Sequence, residues 1–249
     1  MKTTGNTIFM TGGTSGIGLG LARKFRDLGN TVIISGRRKQ LLDQLATEEG
    51  FGTIELDVAD PASIQAAYET VTAQYPETNV LIAMAGIMRS EDLRDPGHLA
   101  AAEETIEINL LGTIRAITAF TPFLLGRPDA AIVTVSSGLA FTPLAMTPTY
   151  SATKAAVHSY TVSLRHQLAG TGVQVIELVP PAVQTTLLEG REPSPQWMPL
   201  DEFLTESVQL FADQPDADEI LVERVKFLRN SELENRFEQT FTTLNNTPH

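Results

Sequence analysis

Residues 7–18 read Thr7-Ile8-Phe9-Met10-Thr11-Gly12-Gly13-Thr14-Ser15-Gly16-Ile17-Gly18, a short apolar run that breaks into a glycine-rich turn with a helical pattern beginning inside it. Glycine lets the chain turn tightly and brings backbone N–H groups close to an anion. The N-terminus of the following helix adds partial positive charge. The pairing of strand, turn and helix is therefore a cradle for a phosphate or pyrophosphate. The spacing matches neither the G-x-G-x-x-G fingerprint nor the G-K-[ST] of an ATP-binding loop, so a ligand-free turn stays open as the bland alternative.

The same alternation continues along the chain. Residues 17–28 carry Leu21, Phe25 and Leu28 at helical spacing and stop at Gly29-Asn30; residues 31–35 read as a strand. A second helix around Leu41, Leu42 and Leu45 closes at Gly50 before a strand at 53–56, which completes a βαβαβ half. Pro61 starts a helix that ends at Tyr75-Pro76, and strands follow at 80–83, 131–135 and 173–179. Helices are predicted at 101–125, with a bend at Gly112, and at 149–169. No linker or repeat interrupts the series, so residues 1–249 are expected to form one α/β domain. Its core is a doubly wound parallel sheet with helices on both faces.

Two segments stand apart. Residues 189–200 hold Pro193, Pro195, Pro199 and the only tryptophan, Trp197, so 183–213 is expected to form a lid over the site. Leu233, Phe237, Phe241 and Leu244 mark one face of a terminal helix over 231–247, suited equally to the chain's own core or to a second subunit.

Thirty acidic against eighteen basic side chains leave a net charge of −12, which removes the usual driving force for nucleic-acid or anionic-membrane binding. There is no cysteine, hence no disulfide framework and no thiolate site, and the first ten residues hold only a brief apolar run. A cytoplasmic location is expected. The four histidines, His98, His158, His166 and His249, show no ligand pair, and His158 and His166 read as ordinary helix residues; no metal is expected.

About 20 residues beyond the glycines, where an acid would bind the ribose of NAD, the chain offers Ser35-Gly36-Arg37-Arg38. Two guanidiniums suit a 2′-phosphate, so NADP(H) is expected, with NAD(H) as the lesser option. Tyr150 and Lys154 lie four apart on one helix face, where an ammonium favours the phenolate. Ser136-Ser137 ends the fifth strand, at the crevice where open α/β sheets bind ligands.

Taken in order from Thr11 to Thr185, these residues resemble the short-chain dehydrogenases/reductases. The turn Gly12, Thr14, Ser15, Gly16, Ile17 and Gly18 is similar to that family's cofactor loop. Asp57-Val58 resembles its adenine pair, Ala85-Gly86 its fourth-strand motif, and Asn109-Leu110-Leu111-Gly112 its N-x-x-G. Ser137, Tyr150 and Lys154 keep the family spacing, Val183 and Thr185 match positions that meet the carboxamide, and Pro180, where the family has the proline of its Pro-Gly, is a further expected cofactor contact. The resemblance implies a Rossmann-type sheet of about seven strands, and hydride transfer between a nicotinamide and a carbonyl or alcohol carbon. It implies Tyr150 as acid or base and Ser137 as holder of the oxygen. Lys154 would tune the phenol and bind the ribose, and Asn109 would hold a relay water. Helices 101–125 and 149–169 resemble the family's pairing helices, so a homodimer or homotetramer is expected.

Three positions depart from the pattern: Ala83-Met84 replaces two asparagines, Pro181 replaces a glycine, and residues 219–223 replace the usual Val-Asp-Gly-Gly ending. The last two features resemble the oxidoreductases associated with bacterial D-alanylation operons. The departures also motivate the alternative of a nucleotide-binding regulator or scaffold without turnover. Leu139, Phe141, Pro143, Leu144, Leu187, Leu188, Trp197 and Met198 are expected to line an apolar or mixed substrate pocket.

Overall fold

Strand β1 (Thr7–Thr11) carries apolar side chains toward both faces, which suits a strand covered on both sides. Ile8 and Met10 enter one core and Phe9 the other, the period of two that a pleated strand imposes. The computed structural model describes residues 1–246. Around β1 lie β2 (Thr31–Gly36), β3 (Gly52–Glu55), β4 (Val80–Ala83), β5 (Ala131–Val135), β6 (Gln174–Leu178) and β7 (Glu219–Ile220). All pair in parallel, in the order β3-β2-β1-β4-β5-β6-β7, so the order reverses between β1 and β4.

One face is covered by α1 (Gly16–Asp27) and α2 (Lys39–Glu49), the other by α3 (Pro61–Gln74) and α5 (Gly112–Leu124), with α4 (Leu99–Ile106) leading into α5. Helix α6 (Pro148–Gln167) crosses β5 and β6. Helix α7 (Leu200–Asp213) returns to pack on α1, with Phe203, Leu204 and Phe211 buried beside Phe25 and Gly20. The chain is thus a single α/β domain with a seven-stranded, doubly wound parallel sheet, as its sequence pattern predicts.

Boundaries differ in three places. The helix expected over 101–125 contains a wide turn at Glu107–Leu111 with π geometry, placed before Gly112 rather than at it. Gly112 instead permits close approach: a Cβ there would meet Val58 Cγ2 at 2.7 Å. The lid range 183–213 is too long, because α7 belongs to the core; the part outside it is a loop tied by bridges pairing Val183 with Met198 and Leu188 with Met88.

The terminal helix expected over 231–247 begins later. Short α8 (Lys226–Arg229) precedes turns, then α9 (Phe237–Asn246), and Leu233 is exposed on a turn. Thr247 and His249 lie outside the described residues. Helix α9 docks on its own chain: the Asn245 side chain accepts from Ala145 N at 2.6 Å and donates to Pro143 O at 3.2 Å.

Candidate active site

The carboxyl ends of the central strands open into a cleft of about 1000 Å³ at the β1/β4 reversal. Every sequence-predicted site residue lines it except Asn109.

At one end the glycine turn makes room for a ligand's phosphates. Gly12 has φ +75°, and a Cβ there would lie 2.8 Å from Ala85 Cα. Gly18 has no room for a side chain either, since its Cβ would fall 2.2 Å from Gly12 O. Ser15 caps α1 in extended conformation, and no acidic residue stands in the first turn to oppose an anion. Arg38 Nη2 donates to Thr14 Oγ1 at 3.0 Å, which anchors one guanidinium beside the turn. The side-chain-free cradle, the open helix N-terminus and the two arginines fit a dinucleotide carrying an extra phosphate. Replacing the asparagines by Ala83-Met84 leaves the β4 exit fastened, because Thr11 Oγ1 accepts from Met84 N and Ala85 N at 3.0 and 3.2 Å.

At the other end Ser137 closes β5 in extended backbone and accepts from Leu139 N at 3.1 Å, which starts a tight turn. The Pro180 carbonyl accepts from Gly138 N at 2.9 Å, so Pro180-Pro181 still joins this turn to β6. Tyr150 and Lys154 face the cleft one helical turn apart, both almost wholly buried. Lys154 Nζ donates to Val135 O at 2.8 Å and lies 5.6 Å from the centre of the Tyr150 ring.

The phenol is not depressed as its neighbour's charge suggests. Burial pushes Tyr150 up to about 12, opposed by its hydrogen bond with Ser137. Burial also draws Lys154 down to about 8, opposed by the charge of Glu177. Burial is the larger effect at both positions, leaving a neutral phenol beside an ammonium.

Asn109 is engaged with the chain through both its side chain and its main chain. Its Oδ1 accepts from Ile87 N and its Nδ2 donates to Ile87 O, both at 2.8 Å, while its main-chain carbonyl accepts the Thr113 hydroxyl. The side chain therefore clamps the segment leaving β4. Of the expected substrate wall, Leu139, Leu144, Leu187, Leu188 and Trp197 reach the cleft; Phe141, Pro143 and Met198 do not. Phe141 is turned toward His158 and Arg229, and Met198 is drawn into the core by its pairing with Val183. Leu244 of α9 joins the wall.

Three acidic or basic residues escaped the sequence reading. Glu91 accepts from Thr149 N and Oγ1 at 3.1 and 2.8 Å, capping the helix that carries Tyr150. Arg89 pairs with Glu104 and with Glu189, tying the lid to α4. Glu177, fully buried on β6, accepts from Ser136 Oγ and lies 2.8 Å from His158 Nδ1, so His158 is more than an ordinary helix residue. Among the described residues His158, Glu177 and Glu219 are the one group close enough to share an ion, but Glu219 is already held bidentately by Arg229. Motifs at fixed local spacing could not reveal these partners, which are up to 100 residues apart.

No described helix is long and apolar enough to cross a membrane. A family model described as short chain dehydrogenase matches residues 6–196. The chain is 41% identical to an uncharacterized oxidoreductase, DltE, of Bacillus subtilis, over 98% of this chain and 100% of that one. It is 33% identical to an NADP-dependent 3-hydroxy acid dehydrogenase, YdfG, of Salmonella typhimurium, over 72% of this chain and 73% of the relative. Among solved structures, a short chain dehydrogenase of Burkholderia cenocepacia in complex with NADP superposes with a TM-score of 0.84 at 26% identity, covering 100% of both chains. With the fold, the cleft and the ordered motifs in agreement, the chain belongs to the short-chain dehydrogenase family of oxidoreductases.

Proposed function

We propose that this protein is an NADP(H)-dependent carbonyl reductase, also able to run the alcohol oxidation in reverse, acting on a small apolar or mixed substrate. The observation that carries the reading is a neutral, buried phenol, hydrogen-bonded to Ser137, in the same cleft as the glycine turn. A phenol is protonated at neutral pH and so carries the proton that reduction requires, and the Lys154 ammonium in the same cleft favours the phenolate left behind. The nicotinamide, when bound, supplies or accepts the hydride.

Tyr150 donates its hydroxyl proton to the substrate oxygen as the carbonyl becomes an alcohol, and takes it back in the reverse direction. Ser137 donates a hydrogen bond to the same oxygen and fixes its position. Lys154 places a positive charge next to the phenolate left on Tyr150. Gly12, Thr14, Ser15, Gly16, Ile17 and Gly18 hold the pyrophosphate, Arg37 and Arg38 the 2′-phosphate, and Asp57 and Val58 the adenine. Ala85, Gly86, Pro180, Val183 and Thr185 line the remaining cofactor wall, steadied by Asn109 through Ile87. The NADP-bound Burkholderia neighbour and the NADP-dependent Salmonella relative support the choice of NADP. The apolar faces of α4 and α6 support a homodimer or homotetramer, and the cysteine-free composition supports the cytoplasm as its compartment.

Replacing Tyr150 by Phe tests the assignment. With NADPH and a panel of aldehydes, ketones and diketones, Tyr150→Phe is expected to lower kcat by about 10²-fold or more while NADPH binding stays within a few-fold. Retained turnover assigns the proton to another group. Binding of NADPH by the wild-type chain without turnover across the whole panel favours the regulator instead.

A further inference from the structure

A fully buried carboxylate is costly unless other groups compensate its charge, and Glu177 lies at the heart of β6 with no exposed surface. Its surroundings are built for it. In the β5/β6 pairing Glu177 stands opposite Thr134, whose hydroxyl meets Thr161 of α6, and Ser136 follows directly after the end of β5. One carboxylate oxygen takes the Ser136 hydroxyl and the other lies 2.8 Å from His158 Nδ1. Lys154 precedes His158 by one turn of α6, and its ammonium is fastened to Val135 O, next in the chain to Ser136. A single cluster thus joins the carboxylate to the lysine under Tyr150.

The other charges in this cluster are already matched. Glu219 of β7 lies 3.9 Å from His158 Nδ1 and is held by Arg229 of α8. Arg165 of α6 is engaged with Asp218 and with the Val175 carbonyl. From β5 only hydroxyls face Glu177, and from α6 the facing groups are Lys154 and His158.

We propose that Glu177 is a positioning residue for the reaction: its carboxylate, fixed by Ser136 and His158, is the counter-charge that keeps the Lys154 ammonium protonated beside Tyr150. This rests on the assignment of Tyr150 and Lys154 made above. Burial alone disfavours the ammonium, and the negative charge of Glu177 opposes that effect. Without it, Lys154 loses its proton at a lower pH, and the phenolate formed during reduction loses its neighbouring cation.

Glu177→Gln keeps the side chain's size and its capacity to hydrogen-bond Ser136 and His158 but removes the charge. With only five lysines in the chain, protein labelled with ¹³C at lysine Cε gives a sparse spectrum, and the Lys154 signal is the one absent from Lys154→Met. The Lys154 titration midpoint is expected to fall by about one pH unit or more in Glu177→Gln, with the high-pH limb of the carbonyl-reduction profile moving down alongside it. Glu177→Asp, which retains the charge, is expected to restore most of both. A purely structural role would lower kcat evenly and leave both midpoints in place.

An unmoved Lys154 midpoint overturns the counter-charge. A moved midpoint with an unmoved rate limb overturns its link to the reaction, and full turnover in Tyr150→Phe separately overturns the catalytic assignment itself. If Glu177→Gln does not fold, wild-type protein labelled with ¹³C at glutamate Cδ serves instead. Its Glu177 signal, identified by its absence in Glu177→Asp, must inflect at the Lys154 midpoint, and a flat signal overturns the proposal.

Discussion

Arg37 and Arg38 stand at the end of β2 with their side chains largely in solvent, and only Arg38 is tethered, through Thr14. Cations at the start of a helix oppose its dipole, so their placement calls for an anionic ligand to offset it. A charge-assisted hydrogen bond contributes about 1.5–3 kcal/mol. Replacing both arginines by alanine is therefore expected to weaken NADPH by about 10²-fold, with NADH little changed, in fluorescence titrations of the two cofactors. Equal losses for both would contradict the 2′-phosphate assignment. These arginines and the Tyr150/Lys154 pair were legible because their meaning lies in short spacings. The height of the Tyr150 pKa was not, since it follows from burial by distant segments, which outweighs the hydrogen bond with Ser137.

Helix α6 shows what local pattern leaves out. Pro148 at its first turn and the four-residue spacing of Tyr150 and Lys154 could be read directly. The cap could not: Thr147 makes no side-chain cap bond, and the orphan N–H of Thr149 is taken by Glu91, 58 residues earlier. That carboxylate also meets the positive end of the helix dipole and His98. Glu91→Ala is expected to cost about 1–2 kcal/mol, lowering Tm by about 2–8 °C in a thermal melt. Because the cap sets the position of Tyr150, kcat should fall more than the affinity for NADPH. Glu91→Gln, which keeps the acceptor, should recover part of both. The lid shows the same limit in reverse: its prolines announced a loop, but only the packing of Leu204 against Gly20 shows that α7 belongs to the core.

The assembled molecule leaves an apolar surface exposed along α4 and α6. Leu99, Ile106 and Leu111 are exposed along α4 and the wide turn, and Ile106, Leu110, Pro148 and Ala152 border a groove between that turn and α6. These segments carry Asn109, Tyr150 and Lys154 on their inner sides, so pairing through the outer sides would brace the site without blocking the cleft. A stable pair buries about 800 Å² per partner, which requires both helices rather than the groove alone. Each chain carries −12, so two copies repel until salt screens them. Sedimentation is therefore expected to show a dimer or tetramer that tightens as ionic strength rises toward about 0.15 M, where the screening length is about 8 Å. Ile106→Glu should shift the protein to monomer, because a buried unpaired carboxylate at the centre of the pair is disfavoured while the same residue on a free surface is not. A wild-type chain that sediments as a monomer at every salt concentration would remove the pairing, and with it the explanation for this exposed face.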